Sequence, residues 1–151
     1  MTKASFSFDL RVAGSTADLE AACLVRATAY GHHTPSLQDQ LSRPEPLDTA
    51  PGVVVLVCRD KISGRAIGSA RVQSNAYGAL LIEQSVTVPH EIANHSRAEI
   101  TRLSVVPGGD PQAKLALFKG VYLCCLVMQV RWMIIGARNG SLKTQYERLG
   151  F

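Results

Sequence analysis

Residues 98–111 read Ala98-Glu99-Ile100-Thr101-Arg102-Leu103-Ser104-Val105-Val106-Pro107-Gly108-Gly109-Asp110-Pro111. The first nine are rich in β-branched and apolar side chains and predict a strand over 98–106, which Pro107-Gly108-Gly109 ends. Asp110 is a helix cap and Pro111 a first-turn proline, so a long helix follows over about 112–129. Over 121–128 that helix is apolar on every side, the pattern of a central, buried helix. Behind it, 132–137 reads as a short buried strand and 140–149 as a closing amphipathic helix.

Working towards the amino terminus, Phe6, Phe8, Leu10 and Val12 alternate with polar residues and predict a strand over 5–12. Gly14-Ser15-Thr16 supplies a turn and a cap, with Asp18 and Glu20 in the first turn of a helix that stops at Gly31. Residues 32–51 hold four of the seven prolines and read as a long loop with one helical turn near 36–41, a length usual for functional loops. Residues 53–58 are the clearest strand, and Lys61-Ile62-Ser63-Gly64 closes a hairpin into another over 66–74. Residues 77–88 suggest an irregular strand and 89–96 a turn or short helix. The fold class is α/β (α+β), a mixed sheet with helices packed on it.

The chain of 151 residues has the length of one domain, and 46% hydrophobic against 19% charged residues is a globular balance. A net charge of +4 suits either an ordinary solvated surface or an anionic partner. The basic residues are scattered, which argues against nucleic acid. Cys23, Cys58, Cys124 and Cys125 lie in apolar stretches without ligand spacing and read as reduced core residues, so no metal is expected. His32 and His33 read as exposed loop residues. Residues 1–5 lack the apolar core of a signal peptide, and residues 121–137 are too short and too interrupted to span a membrane. A cytoplasmic protein is the expectation.

Charges in apolar settings mark the candidate site. Leu19, Cys23, Arg26 and Tyr30 are spaced by four, three and four, so one face of the first helix turns Arg26 and Tyr30 inward or along a cleft rim. Arg26 then either finds a buried partner or snorkels to water. Glu99 and Arg102 lie mid-strand, Arg71 sits between Ala70 and Val72, and Asp48 ends the long loop. Such a cluster either grips an amine substrate bearing a carboxylate, with Glu99 orienting or deprotonating the amine, or forms an ion-pair network tying helix to sheet. Gly108 and Gly109, ahead of a helix, can cradle an anion, although Asp110 competes for the same donors. Tyr146 either packs or donates a proton.

These features resemble the GNAT acyltransferase superfamily. The strand with Pro107, the long helix, the next strand and the ending Tyr146-Glu147-Arg148-Leu149-Gly150-Phe151 follow its core order, a mixed, mostly antiparallel sheet flanked by helices. A narrower resemblance is to N-acyl amino acid synthases and acyl-homoserine-lactone synthases. It rests on Arg26 and Tyr30 four apart, the loop acid Asp48, Gly68-Ser69-Ala70-Arg71, and Glu99-x-x-Arg102. The resemblance implies one acyltransferase domain over residues 1–151. Glu99 would be the base and Tyr146 the acid, with Arg26, Tyr30, Asp48, Arg71 and Arg102 around a small amine acceptor. Leu103, Ser104, Val105, Gly108, Gly109 and Asn139 would lie along the acyl donor.

The donor implied is an acyl-CoA or an acyl-phosphopantetheine carrier. Residues 108–117 lack the Arg/Gln-x-x-Gly-x-Gly/Ala loop of acetyl-CoA users, which favours an acyl chain delivered by an acyl carrier protein as partner, or a loosely held CoA. The family continues past the Gly-Phe with about two strands, and this sequence stops at Phe151. The expected fold is thus truncated after the last core helix, its final strand exposed at a sheet edge or completed by a second chain as a homodimer. An acetyl-CoA-dependent N-acetyltransferase and a catalytically inactive GNAT-like binding module are the alternatives.

Overall fold

The computed structural model describes residues 5–151. Residues 1–4 of the amino-terminal segment read above lie outside the described residues. One sheet holds β1 (Phe8–Val12), β2 (Val53–Asp60), β3 (Ala66–Ser74), β4 (Arg97–Val105) and β5 (Trp132–Ile135), side by side in that order. Neighbours are antiparallel except β4 and β5, which a helical crossover makes parallel. The helices are α1 (Thr16–Gly31), α2 (Gln38–Leu41), α3 (His90–Ala93), α4 (Pro111–Val127) and α5 (Gly140–Glu147).

Local sequence sets the helix starts. The Ser15 side chain accepts the Asp18 N–H, Asp110 accepts that of Gln112, and Asn139 accepts that of Leu142. Strand alternation then sorts the sheet's faces. Leu56, Cys58, Ala70, Val72, Ala98 and Ile100 pack against Ala113, Leu117, Val121 and Cys125 of α4. Gly120 lets α4 close on the sheet, since a Cβ there would stand 2.6 Å from Leu10. The alternate residues, Ser69, Arg71, Gln73 and Glu99, are also buried, on the face that α1 and the long loop cover.

Three expectations need correction. Residues 77–88 form no strand; a 3-10 turn at Asn75–Tyr77 leads into them and a second lies at Leu81–Gln84. Side chains supply the partners that a ladder would have given: Glu83 accepts the Leu80 N–H and Glu99 accepts the Ile82 N–H. β5 is a half-buried edge strand and not a buried one, with Trp132 at 39% exposure. Finally, α4 is buried on one side only, and its apolar outer side faces solvent.

Candidate active site

Pairing between β4 and β5 runs from Arg97–Trp132 to Ile100–Ile135 and stops. β4 continues to Val105 while β5 ends, so a slot opens between them. Two adjoining cavities fill it. The inner one, about 190 Å³, is lined by Glu99, Thr101, Arg102 and Ile135. The outer one, about 440 Å³, runs past Ser104, Val105 and Pro107 to His32, His33 and Arg138. Tyr30, Leu103, Gly136 and Tyr146 border both. A larger groove of about 820 Å³ lies elsewhere, between α1, the β2–β3 hairpin and the β4–α4 turn. Its lining carries no buried ionisable side chain, whereas the slot's does.

A bulge shapes the slot. Ser69 faces Ser104 and Arg71 faces Thr101, so β4 spends one residue more than β3 over this interval. Arg102 takes up the difference with φ at +54°, a left-handed conformation costly for a side chain of this size. Its guanidinium is anchored on both sides of Glu45, Nε donating at 2.8 Å and Nη2 at 2.5 Å.

Behind the bulge lies a buried ion network. Asp48 accepts Nη1 of Arg26 at 2.8 Å and Nη1 of Arg71 at 3.1 Å. Arg71 also donates to Glu45 at 2.9 Å and through Nε to Thr101 at 3.0 Å. Burial would raise the Asp48 carboxyl, but Arg26, the Glu45 N–H and Arg71 outweigh it and hold it below the usual range. Glu45 is lowered as well, by its hydrogen bonds to Arg102 against the effect of burial, with the charges of Arg102 and Arg71 adding to it. Both sequence readings of Arg26 and Arg71 thus resolve towards paired, buried side chains. Among the described residues Nε and Nη2 of Arg26 have no partner.

Glu99 stands apart from these pairs. It is buried, accepts the Ile82 N–H at 2.9 Å, and burial raises its pKa despite that bond and the nearby Arg71 charge. A carboxylate so placed binds a proton more readily than an ordinary Glu. Across the slot, Tyr146 packs edge-on against Phe118, and burial with Tyr30 nearby raises its phenol while Arg138 lowers it less. The phenol is protonated at neutral pH and able to donate.

Of the residues singled out in the sequence, Glu99, Tyr146, Tyr30, Arg102, Leu103, Ser104 and Val105 meet in the slot. Arg26, Asp48 and Arg71 form the network beneath it. Gly108 and Gly109 line the larger groove instead, and Asn139 caps α5. Sequence reasoning passed over Glu45, the hinge between Arg71 and Arg102, and Arg138, which stacks on the Tyr30 ring at 5.9 Å. A signal for Glu45 existed: it opens a short 3-10 turn with Asp48, the Glu45 N–H donating to the Asp48 carboxylate at 2.8 Å and the Asp48 N–H to the Glu45 carbonyl at 2.9 Å. Burial pushes the Cys58 thiol to about 12 and Cys125 to about 11, so neither is a ready nucleophile.

No protein-family profile matches the sequence, and no curated protein matches it. Solved structures do. FeeM, an N-acyl amino acid synthase from uncultured soil microbes, superposes with a TM-score of 0.75 at 17% identity, over 95% of this chain and 78% of that one. An aminoglycoside acetyltransferase from an uncultured soil metagenomic sample gives 0.66 at 15%, over 96% and 91%. A Trypanosoma brucei acetyltransferase gives 0.63 at 19%, over 95% and 92%. At such identities the likeness is one of fold. The chain has the GNAT fold, a five-stranded, mostly antiparallel sheet flanked by helices.

Proposed function

We propose that this chain is an N-acyltransferase working in the β4–β5 slot, moving an acyl group from a thioester to the amine of a small, amino-acid-like acceptor. The observation that carries the reading is a buried carboxylate of raised pKa, Glu99, in the same slot as a buried, protonated phenol, Tyr146. In this reading residues 1–151 act as one acyltransferase domain.

The thioester lies along β4 beyond Ile100, where β5 no longer pairs, and backbone N–H groups of residues 103–105 hydrogen-bond its carbonyl oxygen. Glu99 accepts a proton from the acceptor ammonium, directly or through water. The free amine attacks the carbonyl carbon, forming the new C–N bond. The tetrahedral adduct expels the thiolate as the C–S bond breaks. Tyr146 protonates the thiolate, the surplus amine proton returns through water to Tyr146, and Glu99 releases the proton it took from the ammonium to solvent. Arg102, its side chain 23% exposed, reads the acceptor carboxylate, while Arg26, Asp48, Arg71 and Glu45 hold the loop that frames it.

For the donor we favour a fatty acyl group on a carrier protein over acetyl-CoA. Asp110 accepts both the Gln112 N–H at 2.9 Å and the Ser7 hydroxyl at 2.7 Å. Its carboxylate thus occupies the helix end where a diphosphate otherwise binds. The likeness to an N-acyl amino acid synthase fold leans the same way. The test is mass spectrometry of products from purified protein given amino acids with acyl-carrier protein, long-chain acyl-CoA or acetyl-CoA. Long-chain N-acyl amino acids from the carrier, lost in Glu99→Gln, are expected. Acetylated products alone would replace the donor assignment. No product from any donor, with Glu99→Gln and Tyr146→Phe binding donor like the parent, would leave a binding module.

A further inference from the structure

The residues of α4 that face the sheet are Ala113, Leu117, Val121 and Cys125. On the opposite side Leu115, Tyr122, Leu123, Leu126 and Val127 are 50–85% exposed. Among the described residues no element covers them, and Lys119 is the single charge in the stripe. A helix apolar on all sides is a buried helix or an interface helix, and the fold buries only half of this one.

We propose that the outer face of α4 is a homodimer interface, in which α4 of two copies packs antiparallel about a twofold axis. This goes beyond the acyl-transfer reading and does not depend on it. The spacing commits the face to a second copy. Positions 115, 119, 122 and 126 are separated by four, three and four, the seam of a two-helix coiled coil. Paired antiparallel about a point between 120 and 121, the seam is self-complementary, as a twofold contact requires. Leu115 meets Leu126 of the second copy at both ends. In the middle, Lys119 lies on the ring of Tyr122 of the second copy, its stem packed and its ammonium at the aromatic face or snorkelled to water. The two lysines never stand opposite one another. A parallel pairing would instead set Lys119 against Lys119.

The area suffices for a modest dimer. Leu115, Tyr122, Leu123 and Leu126, each covering roughly 100 Å², bring the pair to about 800 Å² before the Lys119 stems are added, the size of a weak, concentration-dependent contact. The β5 edge, where the sequence would have placed a second chain, is only four residues long. The slot opens between β4 and β5, and its lining includes no residue of α4.

Sedimentation velocity from about 1 to 200 µM, a range bracketing a micromolar Kd, tests the proposal on the chain as it stands. The parent is expected to dimerise within that range. Leu126→Glu and Leu115→Glu, at opposite ends of one helix, should each weaken dimerisation by more than tenfold with far-UV circular dichroism unchanged. A Leu115→Lys/Leu126→Glu chain should still dimerise, because antiparallel packing sets each lysine against a glutamate of the second copy, whereas parallel packing would set like charges together. A parent monomeric at every concentration, or a dimer that both glutamates leave intact, overturns the interface. A monomeric Leu115→Lys/Leu126→Glu chain with far-UV circular dichroism unchanged overturns the antiparallel register.

Discussion

Under α4 the sheet presents Leu56, Cys58, Ala70, Val72, Ala98 and Ile100; under α1 and the long loop, the same strands present Ser69, Arg71, Gln73, Glu99 and Thr101. Both sets are largely shielded from water, so burial alone does not separate the two faces. On one, stability comes from non-directional contact between apolar surfaces. On the other, every charge withdrawn from water needs a partner at a fixed distance and angle. Directional pairing is costly to assemble, but it can hold a strained bulge and an isolated carboxylate where an apolar face would simply collapse around them.

If pairing is what holds the polar face, removing one shared acceptor should hurt it more than a comparable loss on the other face. Asp48→Ala strips Arg26 of its carboxylate and leaves Arg71 with Glu45 and Thr101, both arginine side chains being 1% exposed. The expected loss is about 3–5 kcal/mol in urea unfolding, with activity falling because Glu45 and Arg102 lose their frame. A loss below about 1 kcal/mol would mean that the network is decoration on a fold held by α4 alone.

On the apolar face, Leu117→Ala empties a site in contact with Gly68 and is expected to cost about 2–5 kcal/mol. The sharper expectation concerns function. Turnover per folded molecule should stay near the parent value, because Leu117 touches nothing in the slot. Comparable losses of kcat for Leu117→Ala and Asp48→Ala, after correction for unfolded protein, would break the distinction between the faces.

The two faces were unequally legible. The apolar face follows from the unbroken apolar run 53–58, from the hairpin that returns it as 66–74 and from the cap and proline before α4, all local signals. Arg26, Arg71, Glu99 and Arg102 stood out because charge in an apolar stretch is costly, although which acid met which arginine was beyond local reading. Glu45 escaped because a glutamate between Pro44 and Pro46 looks like any loop acid until the chain folds back onto β3 and β4. Residues 77–88 were misread as an irregular strand for a related reason: Glu99, distant in sequence, pins the Ile82 N–H. The outer face of α4 was legible as apolar, but a helical repeat does not say whether the cover belongs to the same fold.

The smallest expected effect is also the most discriminating, since it separates carboxylates on the same polar face by the sign of their pH dependence. Asp48 and Glu45 are held below their ordinary values. The stability they contribute is complete above the ordinary carboxylate range and drains away as the pH falls through their lowered values. Glu99 is shifted the other way. Its native state takes up a proton more readily than the unfolded chain, so its contribution is complete below the ordinary glutamate value and is lost as the pH rises through the raised one. At neutral pH its ionised form therefore weighs against folding. Glu99→Gln should leave stability near the parent value at pH 4 and raise it slightly at pH 7–8, while kcat/KM drops by about 10²–10⁴. Urea unfolding at the two pH values and a turnover assay measure both. A variant that is less stable at pH 7–8 than at pH 4, relative to the parent, would place Glu99 with the structural carboxylates and remove the base from the proposed reaction.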